Sequence, residues 1–331
     1  MLKYTFKRIL HTIPLLLAVT LVVFFLIDAM PGDELTAYIN TIPEGDPRPT
    51  QAQIAQMRSV LGLDRPWPVR YLEWLGDVLR GDFGTSLHYR RPAADVIGTI
   101  IWKTVMINSV AMLLTFILAV PIGVRSAAKK NGLFDRTIST TTLVFISLPT
   151  FFIGLYLMRL FAVDLGILPA TGMRSVISVV KGYPSKAAEI SDIVRHMVLP
   201  VLTLTLAGVG VVARYVRNAV IEVINQDYIR TARSKGLTER MVIYRHAFRN
   251  AFIPIISLIG VMLPTIFVGN IFVEAIFAWP GIGLEFLYTI YRRDNAMLSL
   301  IILFFSVASV MGNLMADLLY GLADPRIKVE E

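Results

Sequence analysis

This chain of 331 residues contains no cysteine, which excludes disulfides and thiolate-bound metals from its chemistry. It is also poor in charge. Asp, Glu, Lys and Arg make up 17% of it, against about 25% in an average soluble domain. Its histidines, His11, His88, His196 and His246, are scattered, and none stands in the HExxH spacing of a metalloprotease. No GxxxxGK[ST] stretch is present, so the chain carries no phosphate-binding P-loop of its own. A GxSxG nucleophile elbow is missing. So are the paired acids within apolar runs that mark a proton relay. There is no internal repeat and no low-complexity tract. These absences disfavour a membrane-embedded enzyme.

What the chain does have is apolar sequence, 55% of its residues. A membrane-crossing helix needs about 20 mostly apolar residues. Six windows fit that description: Ile9–Met30, Thr104–Val124, Thr137–Phe161, Val198–Val212, Ile253–Phe277 and Met297–Tyr320. The expected class is therefore an all-α membrane protein with six transmembrane helices. The fourth window is short, and its helix is expected to run on through Arg214 and Arg217. Lys3, Lys7 and Arg8 before the first window resemble the start of a signal peptide. The run is about 20 residues long and no small-x-small cleavage pattern follows it, so a retained first span is expected.

The net charge of +8 is concentrated beside these windows. The second-to-third loop carries Arg125, Lys129, Lys130 and Arg136 against Asp135. The fourth-to-fifth loop carries Arg214, Arg217, Arg230, Arg233, Lys235, Arg240, Arg245 and Arg249 against Glu222, Asp227 and Glu239. Alternate loops are basic, as the positive-inside rule expects, so these loops and both termini (Arg326 and Lys328 at the end) are assigned to the cytoplasm. The excess of positive charge then reflects topology, and no nucleic-acid partner is expected.

The loops on the other side differ in kind. Pro31 to about Gly98 is long and mixed in charge. It should hold a helix over Thr50–Leu61, capped by Thr50 and followed by Gly62, and another over Pro68–Leu79 between Pro66 and Gly81. The segment Ala162–Met197 is expected to be partly helical. Trp279, Pro280, Gly281 and Gly283 suit a tight turn at the membrane surface, where Trp is favoured. Within or near the spans, Glu274, Asp317 and Arg159 are isolated charges with an expected structural or interfacial role. Asn108, Asn270 and Asn313 either join helices by hydrogen bonds or, with Glu274, line a polar translocation path.

The segment Asp227 to Pro254 is too charged to cross a bilayer and too regular for a linker. Tyr228, Ala232 and Gly236 fall at i, i+4 and i+8, so a helix would place them on one face. Ala232 and Gly236 are small enough to let a partner approach that face. Gly236 would end the helix, and Thr238 with Glu239 would start the next. The alternative is a solvated basic loop that only sets topology.

Arg230-Thr231-Ala232 followed by Gly236 resembles the EAA loop of binding-protein-dependent ABC importer permeases, although Arg230 and Thr231 replace its acid and first alanine. Asp227 to Gly236, then His246, Ala247, Arg249, Asn250, Ala251 and Pro254, are similar to the peptide and nickel branch of that family. So are Pro31-Gly32-Asp33, Leu61 to Pro66, Gly81 to Ser86, Glu274 with Trp279-Pro280-Gly281, and Asp324-Pro325-Arg326. The order of these motifs resembles the B-type subunit of a dipeptide or oligopeptide importer. That resemblance implies the type I importer fold: a first span (1–30), a folded extracellular loop (31–98), a transmembrane core (99–321) with the coupling loop 227–254 between spans four and five, and a tail (322–331). It implies an ATPase-coupling role for Tyr228, Arg230, Ala232, Arg233, Gly236, Leu237, Arg249 and Asn250. It further implies a plasma-membrane subunit that catalyses nothing itself. Its partners would be a C-type permease, two cytoplasmic ATPases holding ATP and Mg, an extracellular substrate-binding protein, peptide and lipid. A nickel or metal-chelate importer of the same branch, and a channel or scaffold without an ATPase, remain alternatives.

Overall fold

The computed structural model describes residues 2–29, 35, 36, 39, 42, 47–60, 62–86 and 88–323. Leu61, Pro31-Gly32-Asp33, Asp324-Pro325-Arg326 and Lys328 lie outside them, as does the side chain of Asp317.

In chain order, the first helix α1 is Leu2–Asp28, followed by α2 (Gln51–Val60) and α3 (Trp67–Leu79). The two-residue strands β1 (Thr85–Ser86) and β2 (Arg91–Pro92) pair antiparallel before α4 (Ala93–Ala128). Then come α5 (Leu133–Ser147), α6 (Thr150–Met158) with a π-helical end at Arg159–Asp164, α7 (Val176–Lys181) and α8 (Lys186–Ile224). The short α9 (Asp227–Ser234) precedes a turn at Glu239–Met241 and a π-helical stretch Val242–Ala247. These lead into α10 (Phe248–Val268), α11 (Ile271–Ile276), α12 (Ile282–Arg292) and α13 (Asn295–Ala323).

Four helices among the described residues are long and apolar enough to cross a membrane: Ala93–Ala128, Lys186–Ile224, the composite Glu239–Ile276, and Asn295–Ala316. The third expected window is not one straight helix. α5 and α6 meet at a bend of 96°, and they make a fifth crossing only if taken as one span. The cause is local: Leu148 is extended (ψ 132°) before Pro149, as the residue preceding proline must be, and Pro149 has no N–H to continue the ladder. The apolar part of α1, Thr12–Asp28, is shorter than the other four.

The chain divides into two compact units. The first comprises Met1–Trp102 and Leu284–Val310. In it α3 packs on α1: the Thr20 and Tyr71 hydroxyls share a hydrogen bond of 3.1 Å, and the Phe24 ring lies 5.6 Å from those of both Tyr71 and Trp74. α2 and α3 form where their spacing predicts. The Thr50 side chain accepts from the Gln53 N–H, the Gln53 side chain accepts in return from the Thr50 N–H, and Gly62 and Gly81 take positive φ after the helix ends. The β-hairpin is tied to α12 and α13. Ser86 donates to Asp294, Asp294 caps α13 through the Met297 N–H (3.2 Å), and Tyr89 donates to Glu285 at 2.8 Å.

The second unit comprises Lys103–Gly283 and Met311–Glu331. Its core lies between α4, α8 and α10, where Ala119, Val124, Val212, Val216 and Ile255 are buried. Small residues let these helices approach. A Cβ on Gly123 would lie 2.7 Å from the Ala213 carbonyl oxygen, and one on Gly260 would lie 2.6 Å from the Ala316 Cα. Trp279 does not present its ring outward, as its type suggests. It is fully buried beside Ile107, Met197 and Val201, because the indole N–H finds the Lys103 carbonyl at 2.9 Å.

Candidate functional site

The segment after α8 is a built device. α8 ends at Ile224, and Gln226, in extended conformation, starts α9 with Asp227 in its first turn. The acid suits the positive end of the helix. Ile229 and Ala232, one turn apart, are buried against Val242 and Ala247, with Val223, Ile224 and Leu237 packed around them. α9 ends where Gly236 adopts φ +76°, a conformation that glycine takes without strain. Thr238 then caps the next turn by accepting from the Met241 N–H at 3.4 Å. Across the Gly236 bend, the Arg233 guanidinium makes a two-pronged pair with Glu239 at 3.1 and 2.7 Å. That bond holds Arg233 further in its charged form.

This arrangement divides the face expected from spacing. Ala232 points into the loop's own core, whereas Tyr228 is 47% exposed. The reason is that Ile229 needs burial more than a small residue needs a partner, so α9 turns its Ile229–Ala232 edge inward. The outward edge carries Tyr228, Arg230 and Thr231, with Arg230 3.4 Å from Asp227. Partial burial raises the Tyr228 phenol pKa. Leu237 belongs to the inner cluster, and Arg249 and Asn250 are exposed at the start of α10, where Asn250 donates back to the His246 carbonyl. A short helix bolted to a longer one by a core, a bidentate ion pair and a cap is suited to transmitting force. It presents no nucleophile or base constellation.

Asp135 and Arg217 make a second construction that spacing alone did not single out. Arg217 on α8 donates to both oxygens of Asp135 at 2.6 and 2.8 Å. Asp135, at the start of α5, also accepts from Ser126 of α4 and from the Asn131 N–H at 2.8 Å. The signal was a lone acid in a basic loop and an arginine inside a helix. Their separation of 82 residues hid the pairing.

Two of the four candidate path residues are linked through Thr104, a residue that no motif flagged. Asn108 donates to the Thr104 carbonyl at 2.8 Å, and the Thr104 hydroxyl donates to Glu274 at 2.9 Å. Asn270 caps α11, the helix that bears Glu274, by accepting from the Val273 N–H. Glu274 also accepts from the Gly283 N–H at 2.7 Å, and Gly269, Gly281 and Gly283 leave no room around it for a Cβ. Glu274 is 0% exposed. Its carboxyl is enclosed and satisfied by the chain's own donors. Asn313 stands apart and exposed. Among the described residues no cluster of three His, Cys, Asp or Glu could hold a metal ion.

Comparison with known proteins adds to this geometry. Residues 119–329 match the family model "Binding-protein-dependent transport system inner membrane component", and residues 1–119 match its amino-terminal companion. The oligopeptide transport system permease protein AppB of Bacillus subtilis is 35% identical over 99% of this chain and 100% of its own length. The glutathione transport system permease protein GsiC of Salmonella choleraesuis is 35% identical over 99% of each chain. Among solved structures, a chain of the MetNI methionine ABC transporter in an inward-facing form superposes with a TM-score of 0.55 at 18% identity. It covers 69% of this chain and 96% of that one.

Proposed function

The chain belongs to the family of binding-protein-dependent transport system inner membrane components, and from that premise we propose that it is the permease subunit of an ATP-driven importer of di- or oligopeptides. The observation that carries this reading is full-length similarity to relatives named for oligopeptide and glutathione transport. It is a multi-pass plasma-membrane subunit with a transport role, not a catalytic one.

In this reading the six spans are α1, α4, the bent α5–α6 pair, α8, the Glu239–Ile276 composite and α13, with both termini cytoplasmic. The partners are a second permease, two ATPases that bind ATP and Mg, and an extracellular binding protein that docks near α2 and α3. α9 sits in a cleft of an ATPase. Tyr228 and Arg230 make the contact, while Ala232, Arg233, Gly236 and Leu237 keep the helix rigid. Arg249 and Asn250 flank the contact at the head of α10. Closure of the ATPase pair then moves α9, and through α8 and α10 the bundle switches between its two access states. Asn108, Asn270 and Asn313 remain candidates for the polar path.

The test is reconstitution of the complex with its ATPases and binding protein in proteoliposomes. Tyr228→Ala and Arg230→Glu should each lower peptide uptake roughly tenfold, the usual effect of losing an anchor of about 1–2 kcal/mol. Basal ATPase activity should persist. Uptake and peptide-stimulated hydrolysis at the unmodified level in both variants would refute the coupling role.

A further inference from the structure

A cavity of about 330 Å³ opens between α5 and α8, near the lower limit of roughly 300–1,000 Å³ for ligand pockets. Ile138, Ser139 and Thr140 of α5 and Asn218 of α8 line it nearest the two basic loops; about one helical turn further in are Thr142, Leu143 and Ala213. Arg214 lies between these levels, exposed, and makes no ion pair among the described residues. The neighbouring Arg217 is already matched by Asp135, so Arg214 supplies the cavity's uncompensated charge.

We propose that this cavity seats an anionic phospholipid from the cytoplasmic leaflet. Arg214 meets the phosphodiester, the Ser139 and Thr140 hydroxyls and the Asn218 amide take the remaining headgroup oxygens, and the first acyl carbons pass Leu143 and Ala213. A basic pocket between helices on the cytoplasmic side is the expected form of such a site. The apolar side chains of Ile138, Leu143 and Ala213 beside Arg214 favour a lipid over a free anion, which would have no use for them. The inference rests on the orientation given under the proposed function. That orientation is checked separately: cysteine at Lys130→Cys, in a chain that has no other, should react with an impermeant maleimide only in inside-out vesicles.

The experiment is native mass spectrometry of the assembled complex after exchange into dioleoyl phosphatidylglycerol, dioleoyl phosphatidylcholine, or buffer with inorganic phosphate. Unmodified protein should retain phosphatidylglycerol in preference to phosphatidylcholine. Arg214→Gln should lower that retention about fivefold, the share of one basic residue near an anionic surface. Arg159→Gln, an equal loss of charge outside the cavity, should leave it unchanged. Equal retention in Arg214→Gln and Arg159→Gln would overturn the proposal, as would indifference between the two lipids. Saturation by inorganic phosphate without lipid would also overturn it. So would cross-linking of Ser139→Cys to the second permease, since the cavity would then be a subunit contact.

Discussion

Replacing Arg217 by methionine tests how the ends of α4, α5 and α8 are held together. The substitution keeps the side chain's length and removes both donors to Asp135. Asp135 would remain almost fully buried, at 3% side-chain exposure, with only Ser126 and the Asn131 N–H as partners. Breaking one side of a buried ion pair costs about 3–5 kcal/mol. Arg217 is 22% exposed, which places this case near the lower figure. There is also a ceiling: a stranded carboxylate can take up a proton, which at pH 7 costs about 4 kcal/mol from an ordinary carboxyl pKa of about 3.9. The expected loss is thus about 3 kcal/mol at neutral pH. By the same arithmetic it falls to about 1.5 kcal/mol at pH 5, because protonation there is easier. Thermal unfolding of the purified complex, followed by tryptophan fluorescence, should show a midpoint lowered by about 6 °C at pH 7. The double variant Asp135→Asn with Arg217→Met should recover most of this, since no charge is left without a partner. A shift under about 1 °C, or a double variant no better than the single one, would refute the account of Asp135 and Arg217 as a clamp.

Gly236→Ala should destabilise α9 by about 1–2 kcal/mol through backbone strain alone, because no atom lies within 4 Å of the added Cβ. Faster hydrogen exchange confined to residues 227–241 is the readout, and unchanged exchange would deny that the bend depends on positive φ. Trp279→Phe removes the indole N–H bond to the Lys103 carbonyl, at a net cost of about 0.5–1.5 kcal/mol. A loss below 0.5 kcal/mol, roughly the lower bound for a net hydrogen bond, would show that water replaces the indole. Tyr183 donates to Asp192 at 2.6 Å, and loss of solvent with that bond pushes its phenol up to about 12. Its raised pKa means that its stabilisation is complete below pH 10 and fades as pH rises through 12. Tyr183→Phe should therefore remove a late-ionising phenol from the spectrophotometric titration, and removal of one titrating near 10 instead would contradict the contact.

Much of this fold is legible locally. Thr50, Pro66, Gly62 and Gly81 mark the ends of α2 and α3, since caps and turns act within a few residues of themselves. Gly236 and Thr238 mark the bend after α9 for the same reason. The apolar windows foretell helices, yet they do not show the bend at Pro149 as a change of direction: apolar content is a sum, and a break leaves it unchanged. Nor does periodicity tell which edge of α9 turns inward. Tyr228 and Ala232 share a face by spacing, but the core that claims Ala232 comes from Val242 and Ala247, beyond the bend.

The sequence by itself determined the class of molecule, the apolar windows that become helices and the caps and turns that end the short ones. Each of these follows from composition and short-range backbone rules. Only the tertiary structure decided that Glu274 is enclosed, that Asp135 joins three helices, and that Tyr228 is left exposed while Ala232 is buried. These are pairings between residues far apart in the chain, where burial leaves a polar group no choice but to find a donor or acceptor within reach.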